Sequence, residues 1–509
     1  MRSLLASVVP LVSLVATSCG GSKMYAAAPS EMVAAGAPQF YEPTAANSED
    51  YTNYGKNPWV SAADDRFSTF AADVDTASYT IARRKLQEGT LPPQASVRVE
   101  EWVNYFKYSF PAAAQGTPFS VVMEAAPHPF EPSRHVLRVG VATKAKTVGE
   151  RKPSALVFLV DVSGSMSSDD KLGLAKKALH LLTDNLSEKD AVAIVTYAGA
   201  DRLVLPMTSI DHKDRIHKAI DSLTSGGSTA MAAGIDTAYD LAAKWVRPGG
   251  ISRVIVLSDG DANVGPHSYQ ELLKIIEDRA KAGVALSTIG FGMGNYKDTT
   301  MEQLADKGNG NNYYIDSLDA AKRIFSEQLT STLEVAAKDV KLQVEFDPAQ
   351  VEHYRLLGYE NRDIKDEDFR KDSIAAGQVG WGHQVTALYE LELTAAGKAH
   401  PAPLGTVRIR HKQPEADAAT ESTFAMAAPP ASSLAAASSE LRFAFAVAAF
   451  ADVLRGGAEW SLDEIRGHAA AATGNDKDRT ELLSLIDKAR SLRGNTNHVA
   501  TDAPSTIAK

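Results

Sequence analysis

The sequence has almost no cysteine, no long apolar run and no excess of basic residues. Cys19 is its single cysteine among 509 residues, which excludes an intramolecular disulfide and a cysteine-ligated zinc site. Lys and Arg number 53 against 63 Asp and Glu, so the formal net charge is −10. A dedicated nucleic-acid binder normally carries a basic domain or stripe. We therefore expect no nucleic-acid partner, and cores built from the 44% of residues that are hydrophobic.

The N-terminus has the layout of an export signal. Arg2 precedes an apolar run over residues 4–15, and small residues 16–18 then lead to Cys19. Neither this run nor any later one reaches the roughly 18 apolar residues of a membrane-spanning helix. The arrangement resembles the lipobox of bacterial lipoproteins, which implies cleavage before Cys19 and a lipid anchor on it. The alternative is an ordinary secretory signal with a chance cysteine.

This resemblance predicts a membrane-anchored lipoprotein of the cell envelope. Gly20 follows the cysteine where an Asp would favour inner-membrane retention. In a host with two membranes, the prediction is therefore the outer membrane or the periplasmic face. The lipid is expected to be the protein's sole contact with the membrane.

The length suggests about three domains at roughly 100–200 residues each. Composition and hydrophobic periodicity divide the chain into seven segments. They are a lipoprotein signal peptide (1–18), a flexible tether (19–65), an N-terminal region of strands and short helices (66–150), an α/β domain (153–332), a β region (335–412), an Ala/Ser/Pro-rich loop (413–438) and a C-terminal helical region (439–495).

The segment 153–332 alternates short apolar runs with amphipathic stretches. The apolar runs lie at 155–160, 191–197, 254–257 and 284–289. Such runs suit strands buried on both faces of a parallel sheet, and the alternation predicts a doubly wound, Rossmann-like α/β domain. Strands at 119–141 are expected to join the β region in a sandwich-like unit around this domain, with the C-terminal helices beside it.

Polar residues follow the predicted strands of the α/β domain. The first strand ends in Asp161, and Ser163 and Ser165 follow it; Thr229 lies in a Gly-rich loop, and Asp259 follows a later strand. In an open parallel sheet, ligands bind at the carboxyl ends of the strands. Carboxylate and hydroxyl oxygens are ligands that Mg²⁺ prefers. These residues therefore predict a divalent-cation site.

This pattern resembles the metal-ion-dependent adhesion site of the von Willebrand factor type A domain. Its five positions carry over as Asp161, Ser163, Ser165, Thr229 and Asp259. The resemblance implies that the serines ligate the metal directly, that the aspartates often act through water, and that the threonine joins when ligand binds. A protein partner's Asp or Glu would complete the coordination shell. We expect Mg²⁺, with Mn²⁺ or Ca²⁺ as alternatives.

The flanks resemble bacterial A-domain lipoproteins with a conserved N-terminal region and a C-terminal domain without an established function. The segments 70–79 and 356–362 carry part of this resemblance. Asp73 and Asp75 also mimic a phosphatase motif, but Ala77 replaces its hydroxyl residue, and the two acids are expected to start a helix at Ala77.

The predicted function is metal-dependent protein binding without catalytic residues. One alternative is a structural envelope module whose metal site is not functional. An enzyme is less favoured, because no nucleophile–base pair can be assembled from the sequence. The histidines are predicted to be scattered surface or packing residues, with spacings that suggest neither a triad nor a zinc pair; they include His180, His212, His217 and His267.

Overall fold

The structure, a computed structural model, describes residues 49–113, 116–227, 231–260 and 268–499. The predicted signal peptide and Cys19 lie outside the described residues. The strands described are β1 (Val60–Ser61), β2 (Phe67–Ala71), β3 (Phe119–Pro127), β4 (Arg134–Thr143), β5 (Ser154–Asp161), β6 (Ala191–Tyr197), β7 (Asp201–Ser209), β8 (Ile251–Ser258), β9 (Ala285–Phe291), β10 (Asn312–Ile315), β11 (Val335–Phe346), β12 (Val351–Leu357), β13 (Gly377–Gly380), β14 (Gln384–Leu393), β15 (Gly405–Lys412) and β16 (Ala419–Ala425).

The α-helices described are α1 (Ala77–Gln87), α2 (Val99–Tyr105), α3 (Leu174–Asn185), α4 (Lys213–Asp221), α5 (Met231–Ala243), α6 (Tyr269–Lys281), α7 (Asp298–Lys307), α8 (Leu318–Lys322), α9 (Leu329–Leu333), α10 (Ala395–Ala399), α11 (Ser439–Leu454), α12 (Leu462–Thr473) and α13 (Lys477–Val499). Within the described ranges, none of these helices combines the length and apolar character needed to cross a bilayer.

The α/β domain is built on a six-stranded sheet with the order β10-β9-β8-β5-β6-β7. All neighbouring strands run parallel except β7, which pairs antiparallel with β6. Alternate side chains of β5 enter opposite layers: Phe158 joins the core that contains Leu179 of α3, and Leu159 joins the core that contains Ile235 of α5. Burial on both faces explains the unbroken apolar runs. The predicted doubly wound fold is confirmed.

Two antiparallel sheets form a sandwich from the segments that flank the α/β domain in sequence. One has the order β1-β12-β14-β4-β3, and the other has the order β13-β11-β15-β16 with β2 paired to β11. Val139 and Tyr389 of the first sheet share a core with Leu342 and Val407 of the second. Because β4 pairs with β14, the predicted union of the 119–141 strands with the later β region is confirmed.

The helices of the N-terminal region pack with the C-terminal helices. Trp102 of α2 is fully buried, and its ring lies edge-on to Tyr79 of α1 and to Phe450 of α11, with centroids 5.4 Å apart in both pairs. Ile465 of α12 and Leu485 of α13 belong to the same core. Residues from the two ends of the chain therefore share one helical layer.

Parts of two segments predicted as a tether and a loop are ordered by pairing with distant strands. Residues 49–65 belong to the predicted tether, yet β1 pairs with β12 and the Glu49 side chain is 1% exposed. The predicted loop at 413–438 contains β16, which pairs with β15 along its whole length. Both predictions were wrong for these residues, because composition reports local preference and not the cross-strand hydrogen bonds that long-range pairing supplies.

Largely buried ion pairs join the flanking regions to the α/β domain. Arg98 Nη1 lies 2.6 Å from the Asp298 carboxylate of α7. Arg362, which follows β12, lies 2.7 Å from Asp306 of the same helix, 3.1 Å from Asp73 and 3.2 Å from Asp75. The two acids that resemble a phosphatase motif therefore bind an arginine. The helix begins at Ala77 as predicted, but its N-cap residue is Thr76 and neither acid lies in its first turn, so the expectation that the two acids start it was wrong.

We predict that Arg362→Met lowers the free energy of unfolding by about 3–5 kcal/mol, because it leaves the buried Asp73 and Asp75 carboxylates without this cation. Denaturant unfolding followed by circular dichroism measures the change. The control is Arg370→Met, whose exposed partner is Glu421; its loss should stay within about 1 kcal/mol. Equal losses in the two variants would show that the buried pairs do not hold the domains together.

Candidate functional site

Two buried carboxylates lie at the carboxyl ends of adjacent parallel strands. Asp161 is the last residue of β5, and Asp259 directly follows β8. The two strands pair with Val160 opposite Leu257, which brings their ends to the same edge of the sheet. Both aspartates are fully buried. The chain thus places two negative side chains where an open α/β sheet binds its ligands.

Two serine hydroxyls lie close together in the turn that follows β5. The Ser163 backbone N–H donates to Asp161 Oδ1 at 2.9 Å, and the Ser163 and Ser165 hydroxyls lie 2.9 Å apart. Ser258, the last residue of β8, donates its hydroxyl to Asp161 Oδ2 at 2.9 Å. The Ser163 side chain therefore faces Ser165 instead of capping the turn that follows. Asp161 in turn is held by hydrogen bonds on both carboxylate oxygens.

The Gly-rich loop before Thr229 is attached to this turn by two backbone hydrogen bonds. Gly226 N–H donates to the Val162 carbonyl at 2.7 Å, and Gly164 N–H donates to the Gly227 carbonyl at 3.1 Å. Gly227 has a φ of 92°, a conformation that favours glycine. Thr229 itself lies outside the described residues. Of the five residues predicted from the sequence, the structure thus describes Asp161, Ser163, Ser165 and Asp259 and brings them to one sheet edge.

Burial raises the pKa of Asp161 to about 6, and the neighbouring Asp259 charge acts in the same direction. Hydrogen bonds from Ser163 and Ser258 oppose this shift. Removal from water penalises a carboxylate, and a second carboxylate nearby adds repulsion. A cation at this sheet edge would relieve both costs, so the electrostatics of the site favour cation binding.

Lys171 supplies a positive charge that the sequence analysis missed. Its Nζ lies 3.0 Å from Asp259 Oδ2 and 2.7 Å from Asn295 Oδ1, and Asn295 Nδ2 donates to the same Asp259 oxygen at 2.9 Å. A Cβ on Gly292, whose φ is 76°, would lie 2.2 Å from Lys171 Cγ. Glycine at position 292 therefore leaves room for the lysine stem. A sequence signal for this lysine did exist. Lys171 lies four residues before Ala175 and eight before Leu179, which places it on the apolar face of the predicted helix.

The N-terminal segment holds the loop that carries Asn295. Glu49 accepts a hydrogen bond from Gly294 N–H at 3.0 Å, and Arg84 of α1 donates to the Gly292 carbonyl at 2.6 Å. Arg84 and Glu49 also form an ion pair of 2.7 Å. Glu49 and Arg84 thus hold in place the loop whose Asn295 contacts Asp259, although both residues lie far from that loop in sequence.

The described donors at this sheet edge fit an oxygen-preferring divalent cation. Asp161 and Asp259 offer carboxylates, while Ser163 and Ser165 offer two adjacent hydroxyls that leave further coordination positions to other ligands. Such a set suits Mg²⁺, Mn²⁺ or Ca²⁺ better than ions that prefer sulfur or imidazole.

A second acidic cluster lies in the N-terminal region. Carboxylate oxygens of Asp73, Glu100 and Glu101 all lie within 4.8 Å of one another. Asp73 pairs with Arg362, Glu101 pairs with Arg98, and Glu100 accepts from Tyr359 N–H at 3.0 Å. Arg98 and Arg362 are the same arginines that pair with Asp298 and Asp306 of α7. These ion pairs favour a structural role for this cluster.

Three family models match the chain over successive ranges. A model described as von Willebrand factor matches residues 45–138, the von Willebrand factor type A domain matches residues 155–327, and a model described as uncharacterized protein YfbK, C-terminal, matches residues 331–492. The second range coincides with the α/β domain. The third covers the later sandwich strands and the C-terminal helices.

Relatives extend this similarity over most of the chain. The uncharacterized protein YfbK of Escherichia coli is 39% identical over 468 residues, which are 86% of this chain and 80% of the relative. The uncharacterized protein sll0103 of Synechocystis is 27% identical over 216 residues, covering 42% of this chain and 50% of that protein. A solved von Willebrand factor type A structure from Catenulispora acidiphila, 17% identical, superposes with a TM-score of 0.43 over 76% of this chain and 92% of its own.

We predict that Lys171→Met tightens the binding of Mn²⁺ by at least about tenfold, because it removes a positive charge beside Asp259 while keeping the aliphatic stem. Isothermal titration calorimetry on the purified protein measures the dissociation constant. Lys177→Met removes a charge from the exposed face of α3 and serves as the control. Equal affinities in the two variants would exclude an electrostatic role for Lys171 in cation binding.

Proposed function

The chain belongs to the YfbK family of proteins with a von Willebrand factor type A domain, and on that premise we propose that it is a lipid-anchored protein of the cell envelope. Its A domain would bind a protein partner through a divalent cation. Type A domains generally mediate protein–protein interactions.

The observation that carries the proposal is the pair of buried carboxylates beside two serine hydroxyls. Asp161 and Asp259 are fully buried at adjacent strand ends, and the Ser163 and Ser165 hydroxyls lie 2.9 Å apart at the same edge. Buried charges in proteins are paired or coordinate metals. Lys171 contacts Asp259, so the described ion pairs leave Asp161 to the second cation that we propose.

In this proposal Ser163, Ser165 and Thr229 bind the ion directly, and Asp161 and Asp259 bind it directly or through water. The ion supplies an electrophilic position that an Asp or Glu carboxylate of the partner fills. We propose Mg²⁺, since its hard oxygen ligands match this set, with Mn²⁺ or Ca²⁺ as alternatives. The surrounding loops would then set specificity, because the carboxylate must arrive on a surface that fits them.

We propose binding and not catalysis for this site. A serine nucleophile needs a general base within hydrogen-bond reach. Lys171 Nζ contacts Asp259 and Asn295, while the Ser163 hydroxyl lies 2.9 Å from the Ser165 hydroxyl and its side chain also hydrogen-bonds the Asp161 carboxylate. The basic group is thus directed to an acid and an amide, and we propose that Asp161 and the serine hydroxyls act as oxygen ligands of the ion.

We predict that partner capture depends on the divalent ion and on Asp161. Immobilised protein is incubated with envelope extract in Mg²⁺, and the retained proteins are compared after EDTA and after Mg²⁺ is restored. Retention should be lost in EDTA, recovered with Mg²⁺ and absent from Asp161→Ala, because that variant lacks a carboxylate at the ion. Calorimetry on the same preparations should show Mn²⁺ binding to wild type only.

The matched control is Asp319→Ala, which removes an exposed carboxylate of α8 and should behave as wild type. Circular dichroism verifies that both variants are folded. Retention that is the same in Mg²⁺ and in EDTA would refute the metal-bridged mechanism.

We predict that Cys19→Ser moves the protein from the membrane fraction to the soluble fraction of lysed cells, because a hydroxyl cannot form the thioether that holds the lipid. Fractionation and mass spectrometry of the N-terminus measure the outcome. Ser22→Ala keeps the cysteine and should remain with the membranes. A Cys19→Ser protein that still sediments with the membranes would contradict the lipid anchor.

A further inference from the structure

Two histidines meet on the surface between α3 and α4. His180 Nδ1 and His217 Nδ1 lie 2.6 Å apart, and the two ring planes are inclined by 25° with their centroids 4.8 Å apart. The residues are 37 positions apart in sequence. The prediction that the histidines are scattered is therefore wrong for this pair, because the packing of two helices brings it together.

The other ring nitrogen of each imidazole, Nε2, contacts a carboxylate. His180 Nε2 lies 3.0 Å from Asp221 Oδ1, and His217 Nε2 lies 3.1 Å from Asp184 Oδ1. An ionised carboxylate only accepts hydrogen bonds, so each Nε2 carries the hydrogen. A neutral imidazole has one N–H, and both Nδ1 atoms then present lone pairs to each other. Two lone pairs at this separation repel each other unless a cation lies between them.

We propose that His180 and His217 bind a transition-metal ion of the zinc and copper class through their Nδ1 atoms. Imidazole nitrogen suits Zn²⁺ and Cu²⁺. A metal-binding histidine typically donates its other ring N–H to a carboxylate, which orients the ring and raises its basicity. Here both histidines have that partner. This site is separate in chemistry from the oxygen-lined sheet edge and does not depend on the function proposed for it.

The local geometry accommodates the ion. Zn–N bonds of about 2.0–2.1 Å at a tetrahedral angle separate two nitrogens by about 3.3 Å, so the rings must part by about 0.7 Å. The side chains of His180 and His217 are 30% and 26% exposed, which leaves them room to move and leaves the remaining coordination positions to water. The ion would bridge the middle of α3 to α4.

Competition with a chromophoric zinc chelator tests the site on the purified full chain. We expect His180→Gln and His217→Gln each to weaken Zn²⁺ binding at least tenfold. Asp221→Asn keeps both rings and removes one supporting carboxylate, and it should weaken binding by about tenfold or more. The control is His212→Gln, an exposed histidine at the start of α4, which should match wild type.

Thermal unfolding supplies an independent readout, since a ligand that binds the folded state raises the unfolding temperature. Zn²⁺ should raise this temperature for wild type and for His212→Gln, and not for His180→Gln or His217→Gln. Equal Zn²⁺ affinity in wild type and in both paired-histidine variants would overturn the proposal. Absence of Zn²⁺ binding in wild type would also overturn it and would indicate that the two Nδ1 atoms share a proton.

Discussion

The A domain is organised around two carboxylates that are buried at neighbouring strand ends. Asp161 and Asp259 are both fully buried, and a buried pair of like charges requires cations or protons. Lys171 meets this requirement for Asp259 at 3.0 Å, and we propose a divalent ion for the rest. The parallel sheet brings these two charges together, because neighbouring parallel strands have their carboxyl ends at the same edge.

The flanking regions act on the same edge from a distance. Glu49 and Arg84 hold the loop of residues 292–295, whose Asn295 contacts both Lys171 and Asp259. Arg98 and Arg362 anchor α7, the next helix in the chain, through Asp298 and Asp306. A mutation in the flanks can therefore change the position of a residue beside the proposed metal site without altering the A domain itself.

Local sequence patterns predicted the elements whose structure depends mainly on local interactions. The helix start at Ala77 and the strand at 191–197 were predicted where the structure has them, and the strand's unbroken apolar run matches its burial along its whole length. The meeting of Asp161, Ser163, Ser165 and Asp259 at one sheet edge was also predictable, because these residues lie at or just after strand ends. Asn295 was not, because its partner Lys171 is 124 residues away. β16 has no buried residue and Phe424 as its one large apolar side chain, so its sequence gives little strand signal and its order depends on pairing with β15.

The position of a bound ion is the direct test of cation binding at this sheet edge. Crystals of the protein grown with Mn²⁺ and measured near the manganese absorption edge would place the metal by anomalous scattering. We predict an anomalous peak within bonding distance of the Ser163 and Ser165 hydroxyls, beside Asp161 and Asp259, and its loss in Asp161→Ala. A wild-type structure in which Mn²⁺ binds elsewhere, or in which this sheet edge holds no anomalous peak at saturating Mn²⁺, would contradict this prediction.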